Sequence, residues 1–198
     1  MSRRSGTLLS MTSVGDEHPP ADGFTLFDTT IGRCAVAWNE HGIVGVQLPE
    51  ADEQRTARRA QRRWPGAPVT TAPDAVQSTI NAIVALLRGE QVDLTSVVLD
   101  DSGSAEFNRR VYAVARSIPP GSTLTYGDIA KRLGEPGAAR AVGQALGANP
   151  FAIIVPCHRV IAAHGKMGGF SAGGGVSTKQ QMLAIEGAPV TIAPTLFD

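Results

Sequence analysis

Cys157 is followed at once by His158 and Arg159, and it lies at the end of the apolar run Phe151-Ala152-Ile153-Ile154-Val155-Pro156. A cysteine delivered by a buried segment is either a small core residue or a nucleophile. A thiol of ordinary pKa, about 8.5, needs a base or a positive charge to become a thiolate near neutral pH, and both follow Cys157 directly. The run 151–155 is too short for most helices and reads as extended, so that successive side chains point to opposite faces. Cys157 and His158 would then be linked through a water rather than by a direct hydrogen bond. A third group would hold the imidazole in one tautomer. Glu186, in a helix expected over 179–186, is the nearest downstream carboxylate for that work; the alternative is a solvated helix end.

These residues need elements to carry them. Upstream, Ser104 reads as the N-cap of a helix with Phe107, Val111 and Val114 on one face, ending before Pro119-Pro120-Gly121. Thr125 then caps a helix over 126–133, broken by Gly134 and Pro136, and a second helix over 138–146 is closed by Gly147 and Asn149. Two short helices joined by a tight Gly/Pro turn read as a helix-turn-helix, which either enters a DNA groove or simply packs. Arg140 on the second helix, with Lys131 and Arg132 on the first, favours DNA.

The first half has a different character. Residues 24–28, 33–38 and 43–48 are β-rich runs separated by Gly32 and by Asn39-Glu40-His41-Gly42, an antiparallel meander. An Arg-rich exposed helix is expected over 50–63, a more apolar one over 75–87, and a further strand over 97–99. The fold class is therefore α/β: a small N-terminal α/β domain over 23–102 and a mostly helical, winged-helix-like domain over 103–188. Residues 1–22 read as a mobile extension and 189–198 as a tail.

Composition limits the function. With 198 residues, 42% hydrophobic and 18% charged, the chain can bury a real core, and long disorder is excluded. No apolar stretch approaches membrane length, and no apolar region follows Arg3 and Arg4, so neither a membrane span nor a secretory leader is expected. Two cysteines far apart, Cys34 and Cys157, suit thiols in a reducing cytoplasm. The net charge of zero divides at Gly103: nine Lys and Arg against thirteen Asp and Glu before it, nine against five from it onward. The second half is thus the candidate for a polyanion. Cys34 and His41 are too few ligands for a structural zinc, and no metal or cofactor is expected.

Pro156-Cys157-His158-Arg159-Val160 resembles the active-site signature of the O6-alkylguanine-DNA alkyltransferases. The resemblance runs from about Phe107 to Gly187. It passes through Ile118-Pro119, Gly121, Thr125-Tyr126-Gly127, Arg140-Ala141-Val142-Gly143, Asn149-Pro150, Ile153-Ile154-Val155, Gly169-Phe170-Ser171 and Glu186-Gly187. It implies that Cys157 accepts the alkyl group, that His158 takes the thiol proton through a water, and that Glu186 orients His158. The product would be a thioether, so each molecule would act once. It implies further that Tyr126 assists guanine as leaving group and that Asn149 braces the turn before the active-site segment. The Ser171 backbone would donate to O6, and the carbonyls of Cys157 and Val160 would accept from the 2-amino group. Arg140 would fill the place of the flipped nucleotide from a helix in the minor groove of double-stranded DNA, with Lys131, Arg132 and Arg159 among the DNA contacts. The protein would act as a monomer.

Two departures from the family pattern stand out. Phe170 occupies a position where many members carry Tyr, and Ser171-Ala172-Gly173-Gly174-Gly175 is about two residues longer than the commonest loop, which makes methyl the safer substrate. Three other readings exist: a damage-binding module without chemistry, which Cys157 opposes, a cysteine hydrolase, and a sequence-specific regulator.

Overall fold

A computed structural model of the chain describes residues 19–171 and 173–189. Most of the expected N-terminal extension, Ala172 of the loop, and residues 190–198 of the tail lie outside them. Among the described residues no helix is long and apolar enough to cross a membrane.

The first half opens with three antiparallel strands in the order β1 (Gly23–Thr29), β2 (Gly32–Asn39) and β3 (Gly42–Gln47). The register runs from Gly23 opposite Trp38 to Thr29 opposite Gly32, and β2 shifts against β3 between Ala37 and Trp38. Both faces of β2 are covered, which explains why Cys34, Ala35, Val36 and Ala37 are all buried although strands with one wet face alternate. On one face Ala35, Ala37, Val44 and Phe24 pack with Ala60, Trp64 and Ala67. On the other, Cys34, Val36, Trp38 and Val46 join the main core. Helix α1 (Glu53–Arg63) lies on the first face, its N-terminus capped by Asp52, which accepts from the N–H of Arg55 at 2.7 Å. Helix α2 (Asp74–Leu86) sends Val76, Ile80, Ile83 and Leu86 into the main core.

The second half adds α3 (Glu106–Arg116), the short strand β4 (Leu124–Thr125), α4 (Tyr126–Arg132), α5 (Ala139–Gly147), the two-residue strand β5 (Val160–Ile161), parallel to β4, and α6 (Val176–Ile185). Thr125 and Asp128 form a capping box at α4, each side chain meeting the other's backbone N–H. One core cluster runs from Phe27 to Met182 and so includes residues of both halves.

Three expectations are corrected. Residues 97–99 form no strand; Leu99 makes an isolated bridge to Ile43, with the Ile43 N–H donating to Val98 and the Asp100 N–H donating back to Ile43. Ser104 does not cap α3, because its N–H is turned back to the Asp101 carbonyl and the cap position falls to Ala105, whose side chain cannot accept. Residues 151–155 are not extended. Phe151 bridges to Val46, but the chain then turns through Ile153 at φ 74° and the Val155 N–H returns to the Phe151 carbonyl at 2.8 Å. Unbroken apolarity dictates burial; it does not distinguish a strand from a buried turn.

Candidate active site

Asn149 holds that turn closed. Its amide donates to the Val155 carbonyl at 2.9 Å and its carbonyl oxygen accepts from the Phe151 N–H at 2.9 Å. The first half grips the same place, for the Pro150 carbonyl accepts from the Val46 N–H at 2.9 Å and from Nη2 of Arg63 at 2.9 Å. Both bonds lie immediately before the segment that ends in the cysteine.

Cys157, His158 and Arg159 form one turn of 3-10 helix instead of continuing a strand. Neighbouring side chains of such a turn do not point to opposite faces, yet no direct hydrogen bond joins the Cys157 thiol to the imidazole of His158, whose Nδ1 stays without a partner among the described residues. Cys157 keeps part of its surface open, whereas His158 is fully buried. Nε2 of His158 lies 3.0 Å from Oε1 of Glu186, and its Nδ1 has no hydrogen-bond partner within the protein. Glu186 is the C-cap residue of α6, where the helix dipole disfavours a negative charge. Two neighbours offset that cost: His158, and Arg159, whose Nε and Nη2 donate to the carboxylate at 2.9 and 2.8 Å.

Arg159 is therefore not at a DNA surface. It is 5% exposed, paired with Glu186 and donating its remaining nitrogen to the Ile118 carbonyl. The family resemblance places Arg159 among the DNA contacts; here its charge is used up internally.

The charge states follow from burial and from these bonds. Burial would raise the Glu186 carboxyl, but the bonds and charges of His158 and Arg159 outweigh it and bring the pKa down to about 2. Burial lowers the pKa of His158 below its ordinary 6.5, against the pull of Glu186, so the imidazole is neutral and free to accept a proton. Burial likewise raises the Cys157 thiol, opposed by the Asn149 side chain, the charge of Lys179 and two backbone N–H groups. At rest Cys157 is a thiol beside a neutral base.

Lys179 escaped the sequence reading. It is fully buried in α6, donating to the carbonyls of Val160 and Met167 at 2.6 Å each, with its Nζ 6.0 Å from the centroid of Tyr126. Burial brings its pKa down to about 8. Its signal was available as a lysine at helical spacing with the buried Met182, Leu183 and Glu186. Val160, expected in the pocket, is itself buried, and its carbonyl is engaged by Lys179.

Tyr126, Arg140, Gly143, Cys157, Phe170 and Ser171 line one cleft of about 580 Å³. Tyr126 is half-buried and its phenol is pushed up by burial and then by Cys157, so it remains a donor. Gly168 sits at φ 69°, where a side chain is strained, and a Cβ there would stand 2.9 Å from the Tyr126 hydroxyl, so the position favours glycine. Arg140 is exposed at the first turn of α5, and Lys131 and Arg132 are exposed on α4, Lys131 lying 3.9 Å from Asp128. Cys157 also lines a second cleft of about 450 Å³, shared by Asn149, Phe170 and Ser171 with Arg59, Arg62 and Arg63.

Comparison with known proteins agrees with this geometry. Residues 106–188 match the family model described as 6-O-methylguanine DNA methyltransferase, DNA binding domain. A methylated-DNA–protein-cysteine methyltransferase of Mycolicibacterium paratuberculosis is 47% identical over 171 residues, covering 86% of this chain and 96% of that one. The crystal structure of Mycobacterium tuberculosis O6-methylguanine methyltransferase superposes with a TM-score of 0.67 at 35% identity, covering 89% of this chain and 99% of that one. That organism's OGT in complex with DNA superposes at 0.64 and 35% identity, covering 84% and 95%.

Proposed function

Because the chain belongs to the methylated-DNA–protein-cysteine methyltransferase family, we propose that it repairs DNA by moving the alkyl group of an O6-alkylguanine onto its own Cys157, once per molecule. The observation that carries the reading is the partly open Cys157 thiol beside a neutral, buried His158 whose Nε2 is held by an ionised Glu186.

His158 takes the thiol proton on its unpartnered Nδ1 by way of one water, and Glu186 stabilises the imidazolium that results. The thiolate attacks the alkyl carbon in line. A carbon–sulfur bond forms, the bond to O6 breaks, and its electron pair leaves with guanine. The Tyr126 hydroxyl and the Ser171 N–H meet the charge that develops there. The thioether has no carbonyl for water to attack, so the thiol is not regenerated, unlike the acyl intermediate of a cysteine hydrolase.

The target atom is inaccessible inside a duplex, so the nucleotide is turned into the cleft between Tyr126 and Phe170, at a cost of a few kcal/mol. Helices α4 and α5 serve as the helix-turn-helix, with α5 in the minor groove and Arg140 in the vacated place. Lys131 and Arg132 add phosphate contacts, and the carbonyls of Cys157 and Val160 hold the guanine 2-amino group. Residues 103–188 carry the chemistry, residues 23–102 support them, and the protein works as a cytoplasmic monomer.

The test is intact-protein mass after mixing with a duplex that carries one O6-methylguanine, followed by sequencing of the modified peptide. Stoichiometric gain of one CH2 unit on Cys157 is expected, and Cys157→Ala should bind the duplex without gaining mass. Binding without any gain in the native chain would reduce the protein to a damage-recognition module.

A further inference from the structure

The acidic first half concentrates five of its arginines in α1 and at its edge: Arg55, Arg58, Arg59, Arg62 and Arg63. Thr56 and Ala60 face the sheet, which leaves 55, 58, 59 and 62 in one outward stripe at helical spacing. Arg63 is turned inward to the Val46 and Pro150 carbonyls. Asp52 lies 3.2 Å from Arg55 and Glu50 lies 4.0 Å from Arg59, whereas Arg58 and Arg62 form no ion pair among the described residues.

The four outward guanidiniums and Glu50 surround a cleft of about 260 Å³. Arg59, Arg62 and Glu50 also line the cleft that reaches Cys157, so the stripe and the nucleophile share one continuous depression. Four positive charges against two carboxylates, Glu50 and Asp52, on a helix whose other face is buried, leave a net positive face that is complementary to a polyanion and suits its backbone rather than its bases.

We propose that the arginine face of α1 binds backbone phosphates of the DNA strand that delivers the alkylated nucleotide, so that the acidic half contributes its own part of the DNA interface. The proposal rests on the DNA-repair reading above. It adds phosphate contacts from a cleft that Cys157 lines together with Arg59 and Arg62, beside the cleft that Cys157 lines together with Arg140.

The test compares the full chain with Arg58→Gln/Arg62→Gln, which breaks no ion pair among the described residues. Duplex affinity is measured over a salt series, and methylation of Cys157 by free O6-methylguanine base is followed without DNA. The slope of log affinity against log salt is expected to become less steep by about 1.8, two contacts at about 0.9 each, with the free-base rate unchanged. An unchanged slope, with the native chain still binding duplex, overturns the proposal and leaves α1 a solvated face. An unchanged slope together with loss of a concentration-dependent dimer overturns it in favour of a second copy. If the slope falls but Cys157 never gains a methyl group, the phosphate surface stands and the transfer reading fails. If the native chain does not bind duplex, both fall.

Discussion

The carboxylate of Glu186 and the imidazole of His158 meet at 3.0 Å in a place where neither is exposed beyond 1% of its side chain, and Arg159 takes the remaining faces of the same carboxylate. The single negative charge is shared between a permanent cation and an imidazole that burial holds neutral. Arg159 keeps Glu186 ionised; Glu186 keeps His158 ready for a proton.

Removing that carboxylate should therefore cost more than orientation. Glu186→Gln leaves Arg159 buried and unpaired, and destabilisation of about 3–5 kcal/mol is expected from breaking a buried pair. The single-turnover methylation rate should fall about 10²-fold or more, as for loss of general-base assistance. Denaturant unfolding and quenched-flow mass analysis measure the two effects. A variant of native rate would remove Glu186 from the relay.

Acid should act through the same pair. Glu186 has a folded pKa of about 2 against an ordinary 4.5, so its contribution to stability is complete above 4.5 and is lost as pH falls toward 2. His158 is held neutral with a pKa below 6.5, so the unfolded chain binds a proton that the folded one refuses, and stability is lost as pH drops through that range. Both signs agree. Melting temperature should decline steadily from about pH 6.5 downward, and a flat profile between neutrality and pH 4 would contradict the assigned charge states.

Lys179 supplies a prediction that separates charge from shape. Its ammonium ties the carbonyls of Val160 and Met167 and opposes the rise of the thiol pKa. Lys179→Met keeps much of the volume and removes both effects. The pH at which iodoacetamide labels Cys157 should move upward, while Cys157 in Lys179→Arg should stay nearer the native value. An unmoved labelling profile in Lys179→Met would confine the residue to packing.

The loop offers a steric test. A Cβ on Gly173 would lie 2.5 Å from the Pro49 carbonyl oxygen and 3.0 Å from the Glu50 Cα, both backbone atoms that cannot swing aside. Gly173→Ala should displace the loop and cost about 1–3 kcal/mol. Methylation by duplex substrate should slow with it, because Ser171 and Phe170 lie just upstream. Native stability and rate together would mean that the loop does not rest on the first half during reaction.

Arg140 distinguishes duplex from base. Arg140→Ala should weaken repair of O6-methylguanine in duplex more than reaction with the free base, since the latter needs no flipping. Equal losses on both substrates would remove the finger role.

How far these features were legible in the sequence varies with their cause. The three strands, the Thr125 cap and the two short helices were readable because alternation, capping chemistry and Gly/Pro stops are local. Glu186 was found as the nearest downstream carboxylate and through the family resemblance. Arg159 was misplaced because its partners, Ile118 and Glu186, lie 41 and 27 residues away, and no local rule reports whether an arginine's charge is already used. The turn at Ile153 was hidden for the same reason: it is held by Asn149 and braced against Val46, both outside the apolar run that contains it. A net charge summed over each side of Gly103 hides local clusters, and the arginines of α1 in the acidic half share a cleft with Cys157.

The three-stranded sheet has its outermost strands touched by isolated bridges, Phe24 to Val69 on β1, and Ile43 to Leu99 and Val46 to Phe151 on β3. Segments that are not themselves strands thus take up N–H and C=O groups that a second molecule would otherwise find open. A protein consumed by a single reaction has to be kept at concentration in readiness for damage, and a sheet whose margins are occupied by its own chain resists pairing margin to margin with its neighbours during that wait.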